Sequence, residues 1–297
     1  MVTSSLSRRG ALRALAATAA SAAVCVSPAR VFAAEPRVVS LELQLTEILV
    51  SLGAPPVAAA DNRLYRRLVG QPELPASVLD LGPIQQPNLE FLQSIAPNLM
   101  VLPAWEASGS RATLARVAPV EVLGDLQRRP PLQTLDMISR RLADIVGRER
   151  ERAALAAALD AACDRAKAMV SDQPTLLCRF FEDGRHLAVF GSNSVLGAVA
   201  ERCGVANAWK GRQNAFGTAL AAVENLASIP EARIVHFHRG AETERAFARL
   251  DRSPLWRALP SVARGEVIAM PVVHPNGGLA SAARLADQLR LALGTHG

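Results

Sequence analysis

The sequence lacks the motifs that mark the common enzyme classes. In its 297 residues there is no G-x-S-x-G nucleophile elbow, no H-E-x-x-H zinc motif, no P-loop and no G-x-G-x-x-G dinucleotide fingerprint. No apolar run of about 18 residues follows position 33, so no transmembrane helix is predicted beyond that point. The sequence therefore shows no signature of these enzyme classes, and the chain beyond position 33 is predicted to be soluble.

Cysteine is scarce. The chain has four cysteines, and three of them, Cys163, Cys178 and Cys203, lie beyond the N-terminal segment. An odd number cannot pair completely within one chain, and the spacing matches no metal motif. We therefore interpret these three as small buried apolar residues, with a Cys178–Cys203 disulfide as the alternative.

The N-terminus is typical of a secretory signal peptide. A basic start, SSLSRRGALR at 4–13, is followed by a short alanine-rich run and then by an A-x-A-like exit. The paired Arg8 and Arg9 fit the twin-arginine export route, and cleavage is predicted after Ala33. An uncleaved anchor is the alternative, although the apolar run is short for a spanning helix.

This segment, residues 1–33, also carries much of the positive charge. It contains four arginines and no acidic residue, so its removal lowers the formal net charge from +6 to +2. The basic pI of the full chain is therefore no argument for nucleic-acid binding. Lysine occurs only at Lys167 and Lys210, and we attribute this bias to codon usage rather than to function.

Strands and helices alternate on both sides of a helical middle section. The predicted strands lie at 37–43, 56–61, 78–82, 98–104, 175–181, 187–191, 233–238 and 267–272. Helical periodicity separates several of them, and a final helix closes the chain. Such alternation is typical of α/β folds with parallel sheets and helical crossovers.

The middle section contains the longest predicted helix. Residues 131–147 have apolar side chains near helical spacing, and Gly147 interrupts them. Residues 148–170 then continue without a break, and at 1.5 Å per residue they would span about 35 Å. A charged amphipathic helix of this length is either an ordinary surface helix or a rigid connection between two lobes.

Residues at predicted strand ends are candidates for a site. Trp105 follows a predicted parallel strand, at the end where α/β folds bind ligands, and Phe216 and His274 lie in loops rich in Asn and Gly. His236 and His238 share one face of a strand, and would bind a metal if a third ligand converged. Ordinary polar residues at a strand end are the favoured interpretation of this histidine pair.

The segment GSNS at 191–194 lies between a predicted strand and a predicted helix. Ser192 or Asn193 could cap that helix, or the free N–H groups there could bind an anion. We favour plain capping.

Six segments of the chain, in the same order, resemble the periplasmic ferric-hydroxamate (ferrichrome-type) siderophore-binding proteins. They are LELQLTEILVSLG at 41–53, LPASVLDLG at 74–82, PNLEFLQSIAP at 87–97, VFGSNSVL at 189–196, NAWKGRQNAFG at 207–217 and SPLWRALP at 253–260. The resemblance covers nearly the whole chain beyond the signal peptide.

The resemblance implies an α/β fold with two lobes, whose mostly parallel sheets are joined by a single long helix. The N-terminal lobe would comprise residues 34–130, the connecting helices 131–171, and the C-terminal lobe 172–297. The implied function is capture of a ferric siderophore in the periplasm and its delivery to an inner-membrane ABC permease with its ATPase. The family implies a monomer with no intrinsic cofactor, no bound metal of its own and no nucleic-acid partner.

The resemblance also implies one surface acid on each lobe that docks onto arginines of the permease. Glu90 in PNLE matches the first acid, and Glu224 in AAVENLA matches the second. A solvated carboxylate at a helix start, which the helix dipole favours, is the alternative for both.

The cleft is where this sequence departs from the family. Ile84 stands where the family has an arginine that grips hydroxamate oxygens. The loss of that guanidinium would cost about 1.5–3 kcal/mol per charged hydrogen bond. Either the ligand differs, or another arginine replaces it. The candidate replacements are Arg63, Arg66, Arg67 and Arg111.

The aromatic positions of the family are only partly kept. The predicted ligand-binding residues are Tyr65, Trp105, Glu106, Phe216, His274 and Asn276. Tyr65 is retained, whereas Phe216 and the pair His274 and Asn276 replace family aromatics. His274 and Glu106 would also suit haem, cobalamin or a metal ion, and a periplasmic metalloenzyme is the least favoured alternative.

Overall fold

A computed structural model of the chain describes residues 36–83, 88–124, 129–168 and 172–294. The predicted signal peptide and Ile84 lie outside these described residues. Within them no helix is both long enough and apolar enough to cross a membrane.

A five-stranded parallel sheet forms the N-terminal lobe, with strand order β3-β2-β1-β4-β5. Its strands are β1 (Val38–Ser40), β2 (Ala58–Ala59), β3 (Leu79–Asp80), β4 (Leu99–Pro103) and β5 (Val120–Leu123). Its helices are α1 (Leu43–Ser51), α2 (Asn62–Leu68), α3 (Leu89–Ile95) and α4 (Ala107–Leu114). Strand β4 reads LMVLP and is buried throughout, as expected of a parallel strand covered on both faces.

Two helices connect the lobes. Helix α5 (Pro131–Val146) begins with a proline in its first turn and ends at Gly147, whose φ of 68° supplies the left-handed C-cap. Helix α6 (Glu149–Lys167) has 19 residues and spans about 28 Å. The prediction of a long helix is confirmed by α6, but α5 belongs to the same connection.

The C-terminal lobe contains a second five-stranded sheet, with strand order β10-β9-β6-β7-β8. Its strands are β6 (Thr175–Phe180), β7 (His186–Phe190), β8 (Thr218–Ala222), β9 (Arg233–His238) and β10 (Val267–Pro271). Its helices are α7 (Val195–Arg202), the 3-10 helix Val223–Ser228, α8 (Ala241–Leu250), α9 (Pro254–Ala258), α10 (Pro260–Ala263) and α11 (Leu279–Gly294).

Strand β7 is the reversed strand of this otherwise parallel sheet. It pairs antiparallel with both β6 and β8. A short turn causes the reversal, because the Asp183 carboxylate accepts hydrogen bonds from the backbone N–H groups of Arg185 and His186, at 2.9 and 3.0 Å. Such an Asx turn forms a hairpin and leaves no room for a crossover helix.

One apolar core is shared by both lobes and the connecting helices. It includes Leu49 of α1, Leu142 of α5, Leu159 of α6, Val235 of β9 and Leu289 of α11. The last helix, α11, packs against α6, α7 and α1. Because the same core contains residues of both lobes, a large hinge motion would expose apolar surface and is disfavoured.

A polar contact between α1 and the start of α11 adds to this shared core. The Glu47 carboxylate accepts a hydrogen bond from the Ser281 backbone at 2.8 Å, and the Gln44 amide donates to the Gly277 carbonyl at 3.2 Å. A Cβ atom on Gly278 would lie 3.2 Å from a Glu47 oxygen, so glycine permits this close approach. We call these five residues the α1–α11 latch.

The three cysteines beyond the N-terminal segment do not form the disulfide that was the predicted alternative. All three are free and buried, and Cys163 and Cys203 share a hydrogen bond. Cys178 belongs to a different apolar cluster, among Phe180 and Trp256. The alternative of a Cys178–Cys203 disulfide is therefore wrong, because the two thiols are in separate cores.

The GSNS segment caps helix α7, but through a residue that we did not predict. The Ser194 hydroxyl accepts a hydrogen bond from the Gly197 backbone at 3.0 Å. Ser192 instead donates to the Glu201 carboxylate, and Asn193 contacts Gln213 through its backbone. Capping is confirmed, but the identification of Ser192 or Asn193 as the cap is wrong.

Candidate functional site

The strand ends of the N-terminal sheet expose one large aromatic residue. Trp105 follows β4 and is 48% exposed, and Glu106 beside it is half-buried at the start of α4. Strand β4 lies next to the central strand β1. Trp105 therefore stands at the carboxyl edge where parallel α/β sheets bind ligands.

Two arginines occupy the carboxyl edge of the other sheet. Arg179 lies near the end of β6, and Arg239 directly follows the neighbouring strand β9. Both guanidiniums approach one oxygen of Glu242, at 3.9 Å from Arg179 and 3.4 Å from Arg239. The Arg179 guanidinium also lies over the Phe181 ring, 4.4 Å from its centroid, a cation–π contact that orients it.

Burial and mutual repulsion destabilise these cations. Burial lowers the pKa of Arg179 and of Arg239, and the nearby charge of Arg67 lowers both further, whereas Glu242 opposes the shift. Arg67 comes from α2 of the N-terminal lobe. We call Arg67, Arg179 and Arg239 the arginine cluster, and it joins the two lobes electrostatically.

His274 lies beside this cluster, after β10. It is 8% exposed, and burial lowers its pKa to about 4, with a contribution from the charge of Arg239 and against a hydrogen bond with the Asn276 backbone. Its imidazole is therefore neutral at pH 7. Of the six predicted ligand-binding residues, His274 and its neighbour Asn276 are the ones that the structure brings to the arginine cluster.

Trp105 and Glu106 are on the carboxyl edge of the N-terminal sheet, without a bond to the cluster. No hydrogen bond or ion pair among the described residues joins either side chain to Arg67, Arg179 or Arg239. Their predicted contact with the ligand therefore depends on a molecule that bridges the two edges.

Tyr65 does not line an open site. Its side chain is 0% exposed, within a small apolar cluster that includes Leu74 and Val78, and its hydroxyl donates to the Pro72 carbonyl at 2.9 Å. The prediction that Tyr65 binds the ligand is contradicted by this burial. The aromatic ring stabilises the lobe instead.

Phe216 is half-buried and lies far from His274. It precedes β8, whose first residue Thr218 pairs with Phe190 at the amino end of the sheet. His274 follows β10 at the carboxyl end, and β8 and β10 are the opposite edge strands. The two predicted ligand residues therefore do not meet in this structure.

The histidine pair on β9 is not a metal site in this structure. His236 is 4% exposed, and its ring packs 4.6 Å from Phe247 and 5.8 Å from Phe180, between ring centroids. The His238 ring accepts a hydrogen bond from the Gly240 backbone at 3.1 Å. Within the described parts of the chain, no group of three or more His, Cys, Asp or Glu side chains is placed to hold a metal.

The two predicted docking acids occupy equivalent places in the two lobes. Glu90 lies in the first turn of α3, which follows the edge strand β3, and Glu224 lies in the first turn of the 3-10 helix that follows the edge strand β8. Both are exposed. Neither has an ion-pair partner among the described residues, so both carboxylates are available to a protein surface.

Sequence reasoning missed Arg179 and Arg239. A signal was present, because Arg179 is the one charged residue in the apolar strand TLLCRFF and Arg239 directly follows RIVHFH. A cation at the end of a buried strand needs a partner or a function.

Two α/β lobes that share a core, with charged and aromatic residues at the carboxyl ends of strands in both sheets, are typical of a two-lobed solute-binding protein. The chain belongs to the periplasmic binding protein family, whose model matches residues 38–273. The iron(3+)-hydroxamate-binding protein FhuD of Escherichia coli K12 is 30% identical over 274 residues, which is 87% of each chain.

Solved structures agree with this assignment. The siderophore-binding protein FhuD of Vibrio cholerae, with Fe3+–Desferal bound, matches with a TM-score of 0.80 and 27% identity, over 88% of this chain and 98% of that one. The triscatecholate siderophore-binding protein FeuA of Bacillus subtilis, complexed with ferri-bacillibactin, matches with a TM-score of 0.67 and 13% identity, over 86% and 92%. The second likeness shows the fold alone.

Proposed function

We propose that this protein captures a ferric siderophore in the periplasm and delivers it to an inner-membrane ABC importer. The observation that carries the proposal is the match along both lobes to FhuD, which in Vibrio cholerae is seen with Fe3+–Desferal and in Escherichia coli is named for iron(3+)-hydroxamate. Iron is the cargo here, and no intrinsic cofactor is required. The two lobes would bind the chelate between Trp105 and the arginine cluster.

The histidine pair on β9 no longer supports the alternative cargoes. Haem, cobalamin or a bare metal ion was suggested by His274 and by the pair His236 and His238. His236 is enclosed by aromatic rings, and His238 already accepts a backbone hydrogen bond. The same contacts remove the proposed ligands of a metalloenzyme.

Tryptophan fluorescence tests the proposed cargo, because Trp105 is exposed at the proposed site. We expect saturable quenching by at least one ferric siderophore, and none by the iron-free chelator at the same concentration. Haem and cobalamin serve as competing ligands. Saturable binding of haem or cobalamin, with no binding of any ferric siderophore, would contradict the proposal.

We propose further that Glu90 and Glu224 dock onto the permease, one from each lobe. The double variant Glu90→Arg/Glu224→Arg should lower importer-stimulated ATPase activity and uptake by about tenfold or more, since two interfacial charges are reversed. Ligand affinity should stay unchanged. The matched control is Glu244→Arg, which reverses an exposed acid on α8. Full uptake by the double variant would disprove this docking role.

The proposed function also requires that this protein is exported to the periplasm. The predicted twin-arginine signal would direct the chain to the periplasm, with cleavage after Ala33, and the protein would act there as a monomer. Replacement of Arg8 and Arg9 by lysine should retain the precursor in the cytoplasm, which cell fractionation measures. Export that continues unchanged would exclude the twin-arginine route.

A further inference from the structure

The arginine cluster carries more positive charge than its surroundings compensate. The guanidiniums of Arg179 and Arg239 in the C-terminal lobe share one oxygen of Glu242, and the charge of Arg67 from the N-terminal lobe acts on both. His274 beside them is neutral at pH 7 because burial lowers its pKa to about 4. Among the described residues that act on Arg179 and Arg239, the three arginines and the one acid therefore leave an excess of two positive charges.

Among the described residues, two hydrogen-bond donors of this cluster also have no acceptor. The Nε atoms of Arg179 and Arg239 are buried, and neither has a hydrogen-bond partner among the described residues. The Arg239 side chain is only 10% exposed. A buried donor without a partner costs about 1–3 kcal/mol, so a group that supplies acceptor oxygens here would be bound favourably.

We propose that the arginine cluster recognises a ferric chelate that carries carboxylate groups and a net negative charge. The planar fork of a guanidinium matches a carboxylate through two parallel hydrogen bonds. Phe181 beneath Arg179 already orients one fork. A neutral ferric trishydroxamate would leave the excess charge uncompensated.

This inference rests on the proposed ferric-siderophore function and names the chemical class of its ligand. It also accounts for the missing family arginine at Ile84. Two guanidiniums of the C-terminal lobe, Arg179 and Arg239, would supply the positive charge that the family arginine supplies from the N-terminal lobe. A ligand with more negative charge fits that change.

A matched series of ligands tests the proposal. Ferric desferrioxamine B carries a pendant ammonium group, its N-acetyl derivative carries no pendant charge, and its N-succinyl derivative carries a carboxylate. The iron cage is the same in all three, so only the pendant charge differs. Ferric citrate serves as an anionic chelate without hydroxamates. Affinities are measured by tryptophan quenching and by calorimetry, at low and at high salt.

We expect the N-succinyl complex to bind about tenfold more tightly than the ammonium form at low salt. High salt should reduce this preference. Arg179→Gln and Arg239→Gln should each lower the preference, and the double variant should abolish it. The control Arg257→Gln, which removes an exposed arginine on α9, should keep the full preference. Circular dichroism confirms that each variant is folded.

The possible results separate this inference from the proposed function. Binding of the ammonium form as tight as that of the N-succinyl form would overturn the inference and leave the siderophore function intact. A preference that survives in the double variant would also overturn it. Binding of ferric citrate alone would support it. Failure of every ferric chelate to bind would overturn both.

Discussion

The α1–α11 latch and the arginine cluster are both polar features that involve the two lobes. The latch places an acid beside hydrogen-bond donors, whereas the cluster places several cations near one another. In the latch, burial raises the pKa of Glu47, and the backbone donors of Gly278 and Ser281 and the charge of Arg284 oppose that shift. In the cluster, Arg179 and Arg239 are repelled by each other and by the charge of Arg67, and Glu242 opposes this repulsion.

The difference indicates which contact is structural and which is functional. The Glu47 carboxylate accepts a hydrogen bond from the start of α11, and this bond links the two lobes in the free protein. Like charges with unused donors are unfavourable in the free protein, and they gain partners when an anion arrives. We therefore interpret the latch as the support that holds the lobes in place and the cluster as the binding surface. Three changes test this comparison.

Breaking the latch should have the largest effect. Glu47→Ala removes the acceptor for the Ser281 backbone N–H and leaves a cavity at a residue that is 0% exposed. We expect the free energy of unfolding to fall by about 3 kcal/mol. Urea denaturation measures it.

Two controls define the cause of that loss. Glu47→Gln keeps an acceptor of similar size and should cost clearly less than Glu47→Ala. Glu244→Ala, at an exposed position on α8, should cost almost nothing. Equal stability of Glu47→Ala and the unmodified protein would show that the latch does not hold the lobes.

Acid should weaken the fold through His274. Its folded pKa is about 4, against an ordinary value of 6.5, so between these values the unfolded chain binds more protons. Stability is therefore present above pH 6.5 and is lost as the pH falls toward 4. From pH 7 to pH 5 this one group should cost about 2 kcal/mol.

The variant His274→Gln isolates this contribution, because glutamine is polar but does not titrate. Its unfolding free energy should fall less than that of the unmodified protein over the same pH range, by about 2 kcal/mol. The pKa of His236 is also lowered to about 4 by burial. His236 is present in both proteins and should therefore contribute the same loss of unfolding free energy at acid pH to each. Identical pH profiles would contradict the burial of His274.

Removing a cluster arginine should have the smallest effect on stability and the opposite sign. Arg239→Gln relieves like-charge repulsion and should raise the free energy of unfolding by about 0.5–1 kcal/mol. The matched control is Arg152, whose side chain is 8% exposed but pairs with Asp136 and Glu149 at 3.2 and 2.7 Å. Arg152→Gln should destabilise the protein. If Arg239→Gln lost as much stability as Arg152→Gln, the cluster would be a structural contact and not a binding surface.

The fold was largely predictable because periodicity and turn residues act locally. The apolar segments at 98–104 and 233–238 became the buried strands β4 and β9. Gly147 ended α5 because a left-handed C-cap favours glycine. The reversal of β7 was not predicted, since it depends on a carboxylate-capped turn at Asp183 rather than on the strand pattern.

The site was less predictable, because exposure is set by distant parts of the chain. Tyr65 and Trp105 are both aromatic residues of the N-terminal lobe that we predicted to bind the ligand, yet one is 0% and the other 48% exposed. Tyr65 points into the lobe and bonds to Pro72, whereas Trp105 follows β4 in a turn. Composition and spacing alone do not distinguish them.

By itself, the sequence determined the class of the protein: alternating strands and helices, a helical connection, and family segments in a fixed order. It also placed Glu90 and Glu224 on opposite halves of the chain. Only the tertiary structure brought Arg67, Arg179 and Arg239 together, because they come from different elements and two lobes. Their role as a binding surface is inferred from their mutual repulsion and burial. Both depend on distances between residues that are far apart in the sequence.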